Sequence, residues 1–228
     1  MRLAVLLSGG KDSIFAWYRA MKTDDVICCI SITSANTESY MFHTPNIDLT
    51  GMQAQAAGVP CIIHATAGNK EEELYDLKEG IKRAVLQYQI QGVVTGAILS
   101  VYQATRIQQI CYDIGLWCFN PLWHIDQKSY MYNLINLGFE VYITGVFACP
   151  FDEKWLGRRI DATLLHDLID FSERHHITLT GEGGEYETFV ADAPFFTERI
   201  SIQSADTSYH NYHGTYLITS ASLEAKKR

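Results

Sequence analysis

Residues 3–13 read Leu-Ala-Val-Leu-Leu-Ser-Gly-Gly-Lys-Asp-Ser, and this stretch decides the fold. The unbroken apolar run Leu3 to Leu7 suits a strand buried on both faces, and Ile14 to Met21 then carries Phe15, Ala16, Arg19 and Ala20 at helical spacing. Between strand and helix, Gly9 and Gly10 tolerate positive φ and leave no Cβ in the way. Backbone N–H groups can therefore converge there on the oxygens of a phosphate at the helix N-terminus. Lys11 adds a cation, Ser8 and Ser13 add hydroxyls, and Asp12 adds a carboxylate that suits a phosphate-bound magnesium ion. The loop is neither of the two most familiar phosphate loops: its glycines are adjacent, no third follows, and the four-residue spacing before Gly-Lys-Ser/Thr is missing.

Outward from this loop the pattern repeats. Strands are expected at Val26 to Ile32, Val59 to His64, Gly92 to Gly96 and Leu116 to Phe119, with helices at Gln53 to Ala57, Lys70 to Gln89 and Gln103 to Ile114 between them. Such alternation predicts an α/β fold, a doubly wound parallel sheet with right-handed crossovers. Ligands on these sheets bind beyond the carboxyl ends of the strands, which nominates Ser31, Gly96, Tyr102 and Arg106 as further nucleotide-lining residues. From about Ile125 the pattern changes to helix 127–137, strand 140–146, helix 161–174 and then shorter strands. We therefore expect an ATP-binding domain over 1–125 and a smaller α/β, substrate-binding domain over 126–228, packed closely because no linker rich in Gly, Pro or Ser separates them.

Composition narrows the partners. The 228 residues carry a net charge of -8, which argues against a large basic face for nucleic acid. No apolar run is long enough to span a membrane and no signal sequence opens the chain, so the expectation is a cytoplasmic protein without membrane contact. The six cysteines form no Cys-x-x-Cys pair and lie mostly in apolar stretches, as reduced buried thiols do. His210 and His213 lack a Cys or Asp partner at metal spacing and read as surface histidines on a loop. The sequence leaves oligomeric state, including a homodimer, open.

A second constellation lies far downstream. Residues 180–190 read Thr-Gly-Glu-Gly-Gly-Glu-Tyr-Glu-Thr-Phe-Val, with Glu182, Glu185 and Glu187 among Gly181, Gly183 and Gly184. Clustered carboxylates repel one another unless a cation or a set of donors sits among them. The plain alternative is a solvated acidic hairpin.

The Ser-Gly-Gly-Lys-Asp-Ser loop resembles that of the N-type ATP pyrophosphatases, which belong to the HUP-like α/β folds and split ATP into AMP and pyrophosphate. Together with Glu38 to Thr44, Tyr102-Gln103, Trp155-Leu156-Gly157-Arg158 and the 181–190 run, it resembles the diphthine–ammonia ligase family over nearly the whole chain. The resemblance implies an ATP- and magnesium-dependent amidation of diphthine, a modified histidine carried by elongation factor 2, with ammonium as nitrogen source and an acyl-adenylate as intermediate. In that reading Lys11 and Asp12, the latter as magnesium ligand, act on the phosphates. Glu182, Glu185 or Glu187 handles ammonium, while Ser39, Tyr40, His43, Trp155, Arg158, Gly183, Gly184, Tyr186 and Thr188 meet the substrate. A carboxylate beside Tyr186 or Tyr40 would suit diphthine's trimethylammonium group. Trp155 suits the core equally well.

Three features depart from the family pattern. Ala104 stands where a basic residue is expected, Pro150-Phe151 replaces Gly-Leu, and the extension of eukaryotic forms is missing, which favours an archaeal-type enzyme. Two rival functions share the loop: a tRNA-thiolating enzyme, which would need a reactive cysteine such as Cys149, and a non-catalytic ATP-binding module.

Overall fold

The computed structural model describes residues 1–34, 45–69 and 72–226. Its first half alternates β1 (Arg2–Leu6), α1 (Lys11–Ala20), β2 (Asp25–Ser34), α2 (Thr50–Ala56), β3 (Cys61–Thr66), α3 (Glu72–Tyr88), β4 (Gly92–Val94), α4 (Val101–Ile114) and β5 (Trp117–Phe119). The strands form one parallel sheet in the order β3-β2-β1-β4-β5. The α/β fold class read from the sequence is the one observed.

Strand parity explains why both faces are covered. Leu3 and Val5 point into a core shared with α1, whereas Ala4, Cys28, Ile30 and Val93 pack under Leu77 and Ile81 of α3 and Ile107 of α4. The chain runs from β1 outward to β3, then returns to lay β4 and β5 on the other side of β1. The strand order thus reverses between β1 and β4, and the loop at 8–13 and Gly96 stand together at the carboxyl ends of these two strands.

The second half adds α5 (Gln127–Asn136), β6 (Glu140–Val146), α6 (Ala162–His175), β7 (Tyr186–Asp192), β8 (Glu198–His210) and β9 (His213–Ala225). Its four strands form a separate sheet, β7-β6-β9-β8, with antiparallel pairings. Tyr130 of α5, Val141 and Ile143 of β6, and Leu164 and Leu168 of α6 join Val5 and Phe15 in a single apolar cluster, so the two sheets are held by shared core.

The final strands are longer than expected. β8 and β9 run 13 residues each and meet at His210↔His213. Asn211 and Tyr212 take positive φ (47° and 64°) between them, the two-residue turn that matches strand twist. Register shifts near Ser204 break the apolar alternation of β8, which is why the sequence pattern looked like shorter pieces. His210 and His213 therefore flank a hairpin turn, and no group of three potential metal-ligating side chains occurs among the described residues.

Candidate functional site

The phosphate loop is built against β7. Gly9, at φ 85°, offers its carbonyl to the Val190 N–H (3.0 Å) and to Gln53 Nε2 (2.9 Å), which also donates to the Val190 carbonyl (2.8 Å). The Lys11 N–H donates to Thr188 Oγ1 at 3.1 Å. A side chain at Gly10 would press on the Thr188 carbonyl at 3.3 Å, so glycine is what lets the loop lie on this strand. Ser13 Oγ accepts from the Ser8 N–H (3.3 Å) and Ser8 Oγ (3.1 Å) and donates to the Gly10 carbonyl (3.1 Å). The two segments singled out in the sequence are thus one structure, a phosphate loop at the N-terminus of α1 locked to a strand of the second sheet.

Charge is concentrated at that junction. Lys11 is 2% exposed, with its ammonium given to Asp12 Oδ2 (3.0 Å) and to the Thr180 carbonyl. Burial alone would pull the ammonium's pKa down, but Asp12, Tyr186 and Glu187 outweigh it and hold Lys11 protonated. Tyr186 lies beneath the ammonium, its ring centroid 5.2 Å away and its hydroxyl bonded to the Leu179 carbonyl at 2.7 Å.

A cavity of about 350 Å³ opens over these groups. Ser8, Lys11, Asp12, Glu182 and Glu187 are among its polar lining, and Leu6, Ile30, Ile32, Leu77 and Ile107 among its apolar lining. One molecule bearing both a flat apolar ring and a polyanion, as a nucleotide does, matches that division.

The three glutamates separate by environment. Glu182 Oε1 accepts from the N–H groups of Ile98 (3.1 Å), Leu99 (2.9 Å) and Ser100 (2.9 Å), pinning the glycine turn to the start of α4. Glu185 is spent on Thr178, whose N–H and hydroxyl reach it at 2.7 and 2.8 Å. Glu187 also lines the cavity, and its carboxyl is pushed up to about 7, by burial first, with Asp12 and Glu182 adding to it and Lys11 opposing.

Other expected site residues fall on both sides of the line. Gly183 and Gly184 line the cavity, and so does Gly96. Ser31 does not: Ile30 and Ile32 take the cavity face of β2, so Ser31 points the other way and receives the Thr50 hydroxyl at 2.9 Å. Tyr102 and Arg106 also miss the cavity, because the phase of α4 turns Ser100, Gln103 and Ile107 toward it; the Arg106 guanidinium instead sits 5.4 Å from the Tyr102 ring. Trp155 packs into the core on Phe151 and Phe171 (5.1 and 4.9 Å), and Arg158 covers it while pairing with Asp167 at 3.0 Å. Tyr186 contributes to the cavity wall and is 2% exposed, with the Lys11 ammonium 5.2 Å from its ring centroid. Ser39, Tyr40 and His43 lie outside the described residues. Cys149 is exposed but does not line the cavity.

Gly96 marks the tightest approach in the site. A Cβ there would lie 2.7 Å from the Ser13 nitrogen and 2.8 Å from the Asp12 carbonyl carbon, both backbone atoms that cannot rotate away. Gly96→Ala is therefore expected to displace the first turn of α1, costing about 1–3 kcal/mol of stability and more than about tenfold in ATP affinity. Thermal denaturation and ATP titration of the variant check this; wild-type values in both would contradict the packing.

A parallel sheet with a phosphate loop at its switch point, closed by a carboxylate-bearing strand of a second sheet, defines a two-domain nucleotide-using α/β enzyme. Residues 1–118 match the diphthamide synthase N-terminal domain and residues 126–223 match the diphthamide synthase C-terminal domain. The chain belongs to the diphthamide synthase family, and by family it is a ligase. A protein of Danio rerio named diphthine–ammonia ligase is 30% identical, with 92% of this chain and 90% of the relative aligned. Its namesake from Homo sapiens is 29% identical over 92% and 86%, and that from Saccharomyces cerevisiae is 31% identical over 92% and 36%. The two vertebrate relatives are aligned over 90% and 86% of their own length and the yeast one over 36%, so a long extension is not general to eukaryotic forms and its lack does not favour an archaeal-type chain. Among solved structures, a predicted subunit of tRNA methyltransferase from Methanocaldococcus jannaschii aligns at TM-score 0.45 and 16% identity, covering 85% of this chain and 97% of that one. No helix among the described residues is long and apolar enough to cross a membrane.

Proposed function

We propose that this family member amidates the carboxylate of diphthine on elongation factor 2, in the cytoplasm, using ATP and ammonia and releasing AMP and pyrophosphate. The observation that carries the reading is the direct bonding of the phosphate loop to β7, the Val190 N–H to Gly9 and the Lys11 N–H to Thr188, which sets Glu187 beside the phosphate-binding cation. Residues 1–125 would hold ATP, and residues 126–228 would present the protein substrate to it.

Leu6, Ile30 and Ile107 would receive the base of ATP, and Ser8 to Ser13 would hold its phosphates, all of them on or beside the cavity wall. The substrate carboxylate attacks the α phosphorus, the bond to the bridging oxygen breaks, and pyrophosphate leaves while Lys11 stabilises the charge it gains. Ammonia, taken from solution, then attacks the acyl carbon of the adenylate, and AMP departs. Glu187 is suited to hold the incoming ammonium and accept its proton, because a carboxyl that titrates near 7 is half ionised at neutral pH. Magnesium, carried by the phosphates, would neutralise charge on the leaving group. The donor set fits that role and no larger one: Asp12 supplies a single carboxylate, and a phosphate-borne magnesium needs only one or two.

The test is the product balance. Protein supplied with ATP, magnesium, ammonium and diphthine-bearing elongation factor 2 is expected to yield AMP and pyrophosphate in step with amide, as read by chromatography and mass spectrometry. ADP and phosphate in their place would rule the adenylation route out.

A further inference from the structure

Helix α5 belongs to the second half of the chain, yet its first turn reaches back into the phosphate loop. Tyr130 is 0% exposed, its ring is wedged against Phe15 (centroids 4.9 Å apart), and its hydroxyl donates to Asp12 Oδ1 at 2.8 Å. One turn earlier, Gln127 Oε1 accepts from the Thr180 N–H (3.2 Å) and hydroxyl (3.3 Å), and the Thr180 carbonyl in turn accepts the Lys11 ammonium. Residues three apart on a helix share a face, so one edge of α5 steadies both charged residues of the loop.

We infer that Tyr130 is a positioning residue that orients Asp12 toward the phosphate-borne divalent cation, an inference resting on the reading of Asp12 as that ion's protein ligand. A carboxylate has about four lone-pair directions, and Lys11 takes one on Oδ2. Held by Lys11 alone, the carboxylate can swing about its terminal torsion and fold onto the ammonium, which competes with any other cation. A donor on Oδ1 fixes the carboxylate plane and leaves the remaining lone pairs at the cavity, where Asp12 contributes to the wall. Gln127 does the corresponding work for Lys11 through Thr180.

Tyr130→Phe keeps the ring in its apolar seat and removes only the hydroxyl. Calorimetric titration with a non-hydrolysable ATP analogue, once with magnesium and once with chelator, reads the effect without turnover. Wild type is expected to bind more tightly with magnesium; Tyr130→Phe is expected to lose about tenfold of that affinity while staying within about twofold of wild type in chelator. Asp12→Asn should show the same loss, and the double variant should be no worse than Asp12→Asn alone, because the two residues act as one unit. Equal weakening with and without magnesium, alongside a lower melting temperature, would make the phenol merely structural and overturn the inference. If wild type responds to magnesium and Tyr130→Phe responds identically, the inference fails alone. Indifference of the wild type would remove its premise as well, while the product balance above still decides the ligase reading.

Discussion

Lys11→Met is expected to lower pyrophosphate release by roughly 10²–10³-fold at saturating ATP, the scale of losing one preorganised donor at a developing anion. The ammonium is almost fully enclosed and stays protonated because Asp12, Tyr186 and Glu187 surround it. No other Lys or Arg lines the cavity among the described residues. Methionine matches the stem in length and keeps the contact with the Tyr186 ring, so the fold should survive. The variant leaves Asp12 its bond from Tyr130, and a melting temperature within a few degrees of wild type would show that the loss is chemical. Release of pyrophosphate within about tenfold of wild type would move the leaving-group role away from Lys11.

How much of this site the sequence discloses depends on how local each relation is. The run Leu3 to Ser13 is legible because strand, glycine turn and helix start follow one another directly, and the structure reproduces them as β1, loop and α1. Ile30 and Ile32 line the cavity where Ser31 does not, and Ser100, Gln103 and Ile107 line it where Tyr102 and Arg106 do not: one residue of strand parity and one step of helical phase decide which side chain meets a cavity. The starting point of α4 was the missing quantity, fixed by the Ser100 cap at the Gln103 N–H. Glu182, Glu185 and Glu187 are equivalent as letters. They part only when their donors are known, Thr178 nearby for Glu185 and the start of α4, remote in sequence, for Glu182. Tyr130 and Gln127 gave no signal at all, since a tyrosine on the apolar face of a helix reads as core, and here it is core that also ends in a hydrogen bond. The pairing of the two marked motifs was not legible either, because nothing in a linear chain says that Gly9 will accept the Val190 N–H.

Glu187→Gln is expected to keep ATP binding and lose amide formation by about 10²–10⁴-fold, the range of a positioned general base. Among the described residues Glu187 is the one carboxyl of the acidic run that accepts no hydrogen bond from a protein donor, and burial pushes it up to about 7. Only its ionised form can hold ammonium and take a proton from it, so the amidation rate of the wild type should climb with pH and level off above an inflection near 7. The glutamine variant should retain a residual rate without that inflection. The same shift acts on stability with a definite sign. The folded state keeps the Glu187 proton up to about 7, whereas the unfolded chain releases it near 4.5, so between these values folding stability falls as pH rises. Above the upper value the ionised carboxyl remains a fixed cost, and Glu187→Gln should then be the more stable protein, by about 1–2 kcal/mol after allowing for solvent at the cavity mouth. At pH 4 the difference should vanish, because both states hold the proton. Denaturant titration of the two proteins at pH 4 and pH 8 measures this directly. A variant no more stable than wild type at pH 8 would mean that Glu187 is compensated by its neighbours, and its place as the ammonium-handling base would then have to be given up.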